Sequence, residues 1–424
     1  MNLLKKTVIL YALLALLFTL LITLSACLPS STIKKNVAVS AQQISNEDLW
    51  WKPMGVYLFQ IDNMTDCLML GICACDNQPS AVNRALLAEH PMPKSDDITT
   101  SYKLIDEITY QYAIGKNKEK MMYGAYARYW HGYTVLLRPL LCVFNYWQIR
   151  MINYILLSLL AMFTVFLLYR EVGAKFALTF AVTLLISNFM IVPMALQFST
   201  CYYIAFGAIC LFLMGSRFTE TAKDRILVFF LIGAVCSFMD LLTTPILTLG
   251  LPVVALCLKY KDTKLQTAIS YSVFWLLGYA SLWVTKWIVT CGVTGMDVIS
   301  DAMDAVKIRV GDNIFFGGEE MPMTRFFDIV IGKIEAMVSP YVLLLVLLAI
   351  VLAVILMIYK YRCLLQRESC IAFVALMPLL WFVVLKNHSI QHIFFTWRDW
   401  ILTLWCVMLL FLKFQENNKE LQRL

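Results

Sequence analysis

Asp62 and Asp66 are the residues whose type and spacing best suit catalysis. They stand in Gln60-Ile61-Asp62-Asn63-Met64-Thr65-Asp66, just ahead of the apolar run Leu68-Met69-Leu70. On a helix the two carboxylates share one face, and like charges at that spacing cost a few tenths of a kcal/mol. A carboxylate whose pKa is lifted toward neutrality by partial burial can take the proton of a hydroxyl nucleophile. The same residues, with Asn63 and Thr65, also have the make-up of a helix cap or a solvated turn.

Cationic side chains fall in two groups. Arg128, His131 and Arg138 form one; Lys386, His388, His392 and Arg398 form the other. The flat guanidinium fork suits two-point contact with a phosphate. Arg398 opens the last apolar segment, where a charge is costly unless it is paired, as with Asp399, or faces a cavity. Asp240 sits in Phe238-Met239-Asp240-Leu241-Leu242-Thr243-Thr244-Pro245, where it either shapes a turn or carries chemistry. Lys286 lies between Trp283 and Trp287 at a segment end, a place for a snorkelling lysine. Cys67, Cys73 and Cys75 cluster after the Asp pair with no His at ligand spacing, which favours a structural role. Most other cysteines lie inside apolar segments as small hydrophobes.

These groups must be positioned by a membrane scaffold. The chain has 424 residues, of which 60% are hydrophobic and 15% charged, against roughly 45–50% and 25% in soluble domains. Lys and Arg give a net charge of +7, but they lie at segment ends and form no patch for nucleic acid. No nucleotide-binding signature is present, which argues against an ATP-driven transporter in this chain alone.

The sequence predicts an all-α membrane protein. A span needs about 20 apolar residues, and ten segments approach that: 7–27, 148–169, 175–196, 200–215, 225–241, 244–258, 266–289, 340–359, 369–385 and 393–412. Basic residues alternate between the connections. Lys5 and Lys6, Arg170 and Lys175, Arg217 to Arg225, Lys259 to Lys264, Lys360 to Arg367 and the tail from Lys413 fall on one side. The positive-inside rule puts both termini in the cytoplasm. The organisation is a first helix (1–27), a large extracytoplasmic loop (28–147), helices two to seven (148–289), a second loop (290–338), helices eight to ten (339–412) and a cytoplasmic tail (413–424). Leu24-Ser25-Ala26-Cys27 also has the form of a lipoprotein cleavage site, which would remove the first helix. In the first loop, Pro79 to Ala88 and Tyr102 to Ile114 have helical periodicity, with Ser101 as a cap for the second, and read as amphipathic helices on the outer leaflet. Asp297 to Val310 predicts a helix in the second loop.

This layout resembles the GT-C glycosyltransferases, polytopic membrane enzymes that use lipid-phosphate-linked sugars. The resemblance covers nearly the whole chain. It rests on one span, a large acidic first outside loop, many further spans and a basic element outside near the end, in Asn387-His388-Ser389 to Arg398. It implies a bacterial cytoplasmic-membrane enzyme moving a sugar from a polyprenyl-phosphate donor to an extracytoplasmic glycan or lipid acceptor, with inversion. Asp66, then Asp62, becomes the general base, with Glu47 and Asp48 as rivals. The two cationic groups become donor-phosphate contacts. Polyprenyl phosphate is a leaving group that needs no general acid, so one carboxylate suffices, and the second is free to bind a divalent cation or orient the sugar. A polysaccharide polymerase or ligase, and a lipid-linked glycan transporter or flippase, are the alternatives.

Overall fold

The computed structural model describes residues 2–55, 59–94, 104–260, 263–311, 314–316, 319–321 and 368–421. Helix α1 (Leu3–Ala26) is capped by Asn2, whose side chain accepts from the Lys5 amide at 3.1 Å. It buries only a stripe, Leu14, Phe18 and Ile22, and turns Leu13, Leu16 and Leu20 outward. An outward leucine face suits contact with lipid.

A folded layer is inserted after α1. It contains α2 (Ser30–Glu47), α3 (Asn63–Ala74), α4 (Ala81–Leu87), strand β1 (His90–Pro93), α5 (Ile105–Ala113), strand β2 (Met121–Gly124) and α6 (Thr134–Leu141). The strands pair antiparallel with His90 opposite Gly124. A Cβ at Gly124 would displace the Met92 side chain, which packs over the glycine. The stretches Pro79–Ala88 and Tyr102–Ile114 hold α4 and α5. These helices pack on protein: α4 against α1, and α5 against α2 and α3. Ser101, the expected cap of α5, lies outside the described residues.

The bundle follows: α7 (Tyr146–Glu171), α8 (Ala174–Ile186), α9 (Leu196–Met214), α10 (Ala222–Met239), α11 (Ile246–Lys259) and α12 (Leu265–Thr294). Next come α13 (Val298–Val310), capped by Asp297, and a short hairpin of β3 (Ile314–Phe316) and β4 (Glu319–Met321). The chain is described again from α14 (Ser369–Val384) through α15 (Lys386–Gln391), α16 (Ile393–Thr396), a 3-10 turn (Trp397–Asp399) and α17 (Trp400–Leu421).

Five helical stretches among the described residues are long and apolar enough to cross a membrane, the character of a multi-pass membrane protein: Leu3–Ala26, Tyr146–Glu171, Leu196–Met214, Leu265–Thr294 and Ile393–Gln415. Three other segments of the expected ten form shorter apolar helices, α8, α11 and α14. The segment 340–359 lies outside the described residues. Helix α8 stops at Ile186 because Asn188 takes a left-handed conformation (φ 56°) and a 3-10 stretch containing Pro193 follows. Helix α11 is buried on every side from Ile246 to Leu258 and forms the bundle's centre. The closest helix pair is α10 with α12. A Cβ on Gly233 would lie 2.0 Å from the Trp275 carbonyl oxygen, and one on Gly278 would lie 2.1 Å from that of Phe230. Small residues at such crossings let backbones approach.

The layer is fixed to the bundle by buried hydrogen bonds. The Gly132 amide donates to the Phe238 carbonyl at 2.8 Å, and the Trp130 indole to the Leu282 carbonyl at 2.8 Å. Lys286 donates to the Leu86 carbonyl at 2.5 Å.

Candidate functional site

Asp62 and Asp66 are both buried, and both cap helices. Asp62 is the N-cap of α3: its carboxylate accepts from the Thr65 amide (3.0 Å), the Thr65 hydroxyl (2.8 Å) and the Gln197 side-chain amide. Asp66 lies one turn into α3, yet caps a different helix. It accepts from the amides of Leu196 (2.9 Å) and Gln197 (3.1 Å), the first residues of α9, and from the Tyr146 hydroxyl. Free amides at a helix start favour an anion. Burial raises the pKa of both; Asp62 reaches about 6, with hydrogen bonds opposing the rise.

A cation completes the network. Arg150 of α7 donates to both oxygens of Glu47 at 2.8 Å, to Asn63 at 2.9 Å and to the Tyr146 hydroxyl at 3.1 Å. Asn63 in turn donates to Glu47 (3.2 Å) and to the Asp48 carbonyl (2.9 Å). Asp48 sits at φ 80°, a strained conformation for a residue with a Cβ. Glu47 and Asp48 are the carboxylates here that reach solvent; Glu47's side chain is 22% exposed. Helices α2, α3, α7 and α9 thus meet in one buried polar cluster.

The two cationic groups have separate fates. Arg138 donates to the carbonyls of Ser25 (2.8 Å), Cys73 (2.5 Å) and Leu28 (3.2 Å), closing the C-terminal ends of α1 and α3. His131 donates from Nε2 to the Tyr126 carbonyl at 2.7 Å and accepts at Nδ1 from Tyr133 at 3.0 Å. Burial pushes its pKa down to about 3, so it is a neutral positioning residue. Arg128 pairs with Asp301 at 3.1 Å and lies over the Tyr126 ring. Lys286 is held at the Leu86 carbonyl. Lys286 docks the layer on the bundle, Arg128 ties it to α13, Arg138 ties it to the end of α1 and His131 braces it from within. His131 and Arg138 also line a small cleft with Ser25, Cys75, Arg84 and Thr134.

The later group stays together. Arg398 is 1% exposed, stacks over the Phe198 ring at 4.6 Å and donates from Nη1 to the Phe394 carbonyl at 3.1 Å. Its Nε and Nη2 have no hydrogen-bond partner among the described residues. The ring of Phe395 packs near Phe198 (5.9 Å), that of His392 stacks on Phe395 (5.2 Å), and His388 lies 4.7 Å from His392. Lys386 is buried beside them on α15. His388 faces the Leu242 carbonyl at 2.7 Å. Asp240 caps the turn at 240–243, accepting from the Thr243 amide and hydroxyl.

Three consecutive residues of α9 therefore join the parts. Leu196 and Gln197 hold Asp66, the Gln197 side chain holds Asp62, and the Phe198 ring carries Arg398. Arg150, Tyr146 and Gln197 were not predicted from the sequence. The available signal was Arg150 itself, a lone charge near the start of an apolar helix that needed a buried partner. Comparison of the chain with protein-family models, curated proteins and solved structures gave no match.

Proposed function

We propose that the chain is an integral-membrane glycosyltransferase of the GT-C type. It has about ten spans, both termini in the cytoplasm and the inserted layer outside. It moves a sugar from a polyprenyl-phosphate donor to an extracytoplasmic glycan or lipid, with inversion. One observation carries the reading: the start of α9 brings a carboxylate cluster and a buried guanidinium with uncommitted donors into one helical turn. In this reading Arg398 holds the donor phosphate as it leaves, with His388 and His392 behind it. Glu47, whose carboxylate joins the buried network and also reaches solvent, takes the acceptor proton. Asp62 and Asp66 fix α3 and α9 so that Glu47 and Arg398 face one substrate.

The test follows a polyprenyl-phosphate sugar pool by mass spectrometry in membranes that contain the native acceptor. Wild type should deplete one such donor. At equal abundance, Glu47→Gln should slow turnover by about 10²–10⁴-fold, and Arg398→Lys should raise the KM for donor. Normal turnover in Glu47→Gln, with loss in an equally abundant Asp66→Asn, would return the base role to Asp66. If wild type leaves every such donor untouched, the transferase reading fails.

A second reading, a lipid-linked glycan transporter, draws on a different observation. Arg398 and Asp399 are both buried in the bundle with polar atoms lacking partners, as charges lining a transport path would be. In that case lipid-linked glycan changes leaflet without donor consumption.

A further inference from the structure

Cys201 on α9, Cys236 on α10 and Asp240 at the end of α10 turn their donor atoms toward one point. The two sulfurs and a carboxylate oxygen all lie within 4.8 Å of one another, and all three residues are buried. The turn after α10 aims Asp240. Its carboxylate accepts from the Thr243 amide at 3.0 Å, Thr243 in turn lies 3.5 Å from the Cys201 sulfur, and His388 holds the Leu242 carbonyl at 2.7 Å.

A second observation concerns Asp399. It is fully buried, neither of its oxygens has a partner among the described residues, and it lies within electrostatic reach of Asp240. The hydroxyls of Ser237, Thr244 and Tyr202, also buried, lack partners too. A buried carboxyl group without a hydrogen-bond partner is expensive in a low-dielectric interior, and a coordinated cation relieves that cost. Two thiols and a carboxylate are zinc-type donors, with Zn–S about 2.3 Å and Zn–O about 2.0–2.2 Å. Sulfur ligands discriminate against magnesium and calcium.

We propose that Cys201, Cys236 and Asp240 bind a divalent cation of the zinc type, with Asp399 as the second carboxylate of the site. Binding releases the two thiol protons to solvent and involves no oxidation. The site ties α9 to α10 and is independent of the transferase reading.

The test uses the full-length protein purified in detergent. Metal content is measured by mass spectrometry, then chelated protein is titrated with cobalt(II), whose thiolate complexes absorb in the near ultraviolet. Wild type should carry about one equivalent of zinc and give the cobalt–thiolate band. Cys201→Ser/Cys236→Ser should lose both, Cys210→Ser should keep both, and Asp399→Asn should weaken cobalt binding by about 10–100-fold. The proposal is overturned if wild type with reduced thiols gives no cobalt–thiolate band. It is also overturned if the double variant retains zinc undiminished, or if native protein proves to carry a Cys201–Cys236 disulfide. The wild-type cobalt titration decides even if the variants fail to fold.

Discussion

Asp66 is an anion held by the start of a helix to which it does not belong. It accepts from two α9 amides and a tyrosine hydroxyl, so removing it leaves buried donors unsatisfied, at about 1–3 kcal/mol. Asp66→Ala should lower the thermal midpoint of the purified protein, and Asp66→Asn, which keeps one acceptor oxygen, should lower it less. A midpoint unchanged in both would show that the capping bonds contribute nothing. Asp62 gives a pH signature. Burial lifts its carboxyl from 3.8 to about 6, so between about pH 4 and 6 the folded state keeps a proton that the unfolded chain has released. The cost of ionising the buried group is absent below that window and fully present above it, so its contribution to stability falls as pH rises. Asp62→Asn removes that slope. The wild-type midpoint minus the variant midpoint should shrink from pH 4 to pH 6.5, and a constant difference would refute the shift. At this scale the sequence showed which residues carry charge and little of what they touch. The capping role of the Asp pair was visible in its residue types. Its partner Gln197 was not, because nothing local announces a contact made across 135 residues.

At the scale of elements the sequence was more informative. The stripe Ile33, Val37, Ala41 and Ile44 is the buried face of α2, a 3.6-residue period that was present in the sequence but interrupted by polar neighbours. Helices α4, α5 and α13 follow their apolar periodicity. Helix α8 ends early for a reason visible only locally, the left-handed Asn188. What periodicity does not reveal is closeness. Gly233 and Gly278 read as ordinary glycines in apolar segments, yet they set the α10–α12 approach. Gly233→Ala should cost about 1–3 kcal/mol or more by forcing the helices apart. Gly292→Ala in α12, whose Cβ meets nothing within 4 Å, should be neutral or slightly stabilising. Thermal unfolding of the two variants in one detergent tests this, and equal midpoints would remove the packing argument.

For the whole molecule, hydropathy reports an apolar bundle and one long polar insertion, and both are present. Charge alternation predicts an orientation, with the inserted layer outside, which is a matter for experiment. Lys116 is exposed on the layer and Arg217 is exposed between α9 and α10. With Cys27→Ser to remove the thiol that is exposed among the described residues, a membrane-impermeant thiol reagent applied to intact cells should label Lys116→Cys and spare Arg217→Cys. The reverse pattern would invert the topology. The docking of layer on bundle was not legible, because it rests on single backbone contacts such as Gly132 to Phe238, which leave no compositional trace.

The reach of Asp66 has a consequence for biogenesis. Its amide partner at Leu196 lies 130 residues further along the chain. At translation rates of about 5–20 residues per second, the layer waits on the order of ten seconds for the helix it must cap. During that interval its apolar faces are uncovered and its buried carboxylates are still hydrated. The layer thus becomes complete only when the third helix of the bundle arrives, and a slow or stalled ribosome between α6 and α9 would leave a half-built, protease-sensitive intermediate.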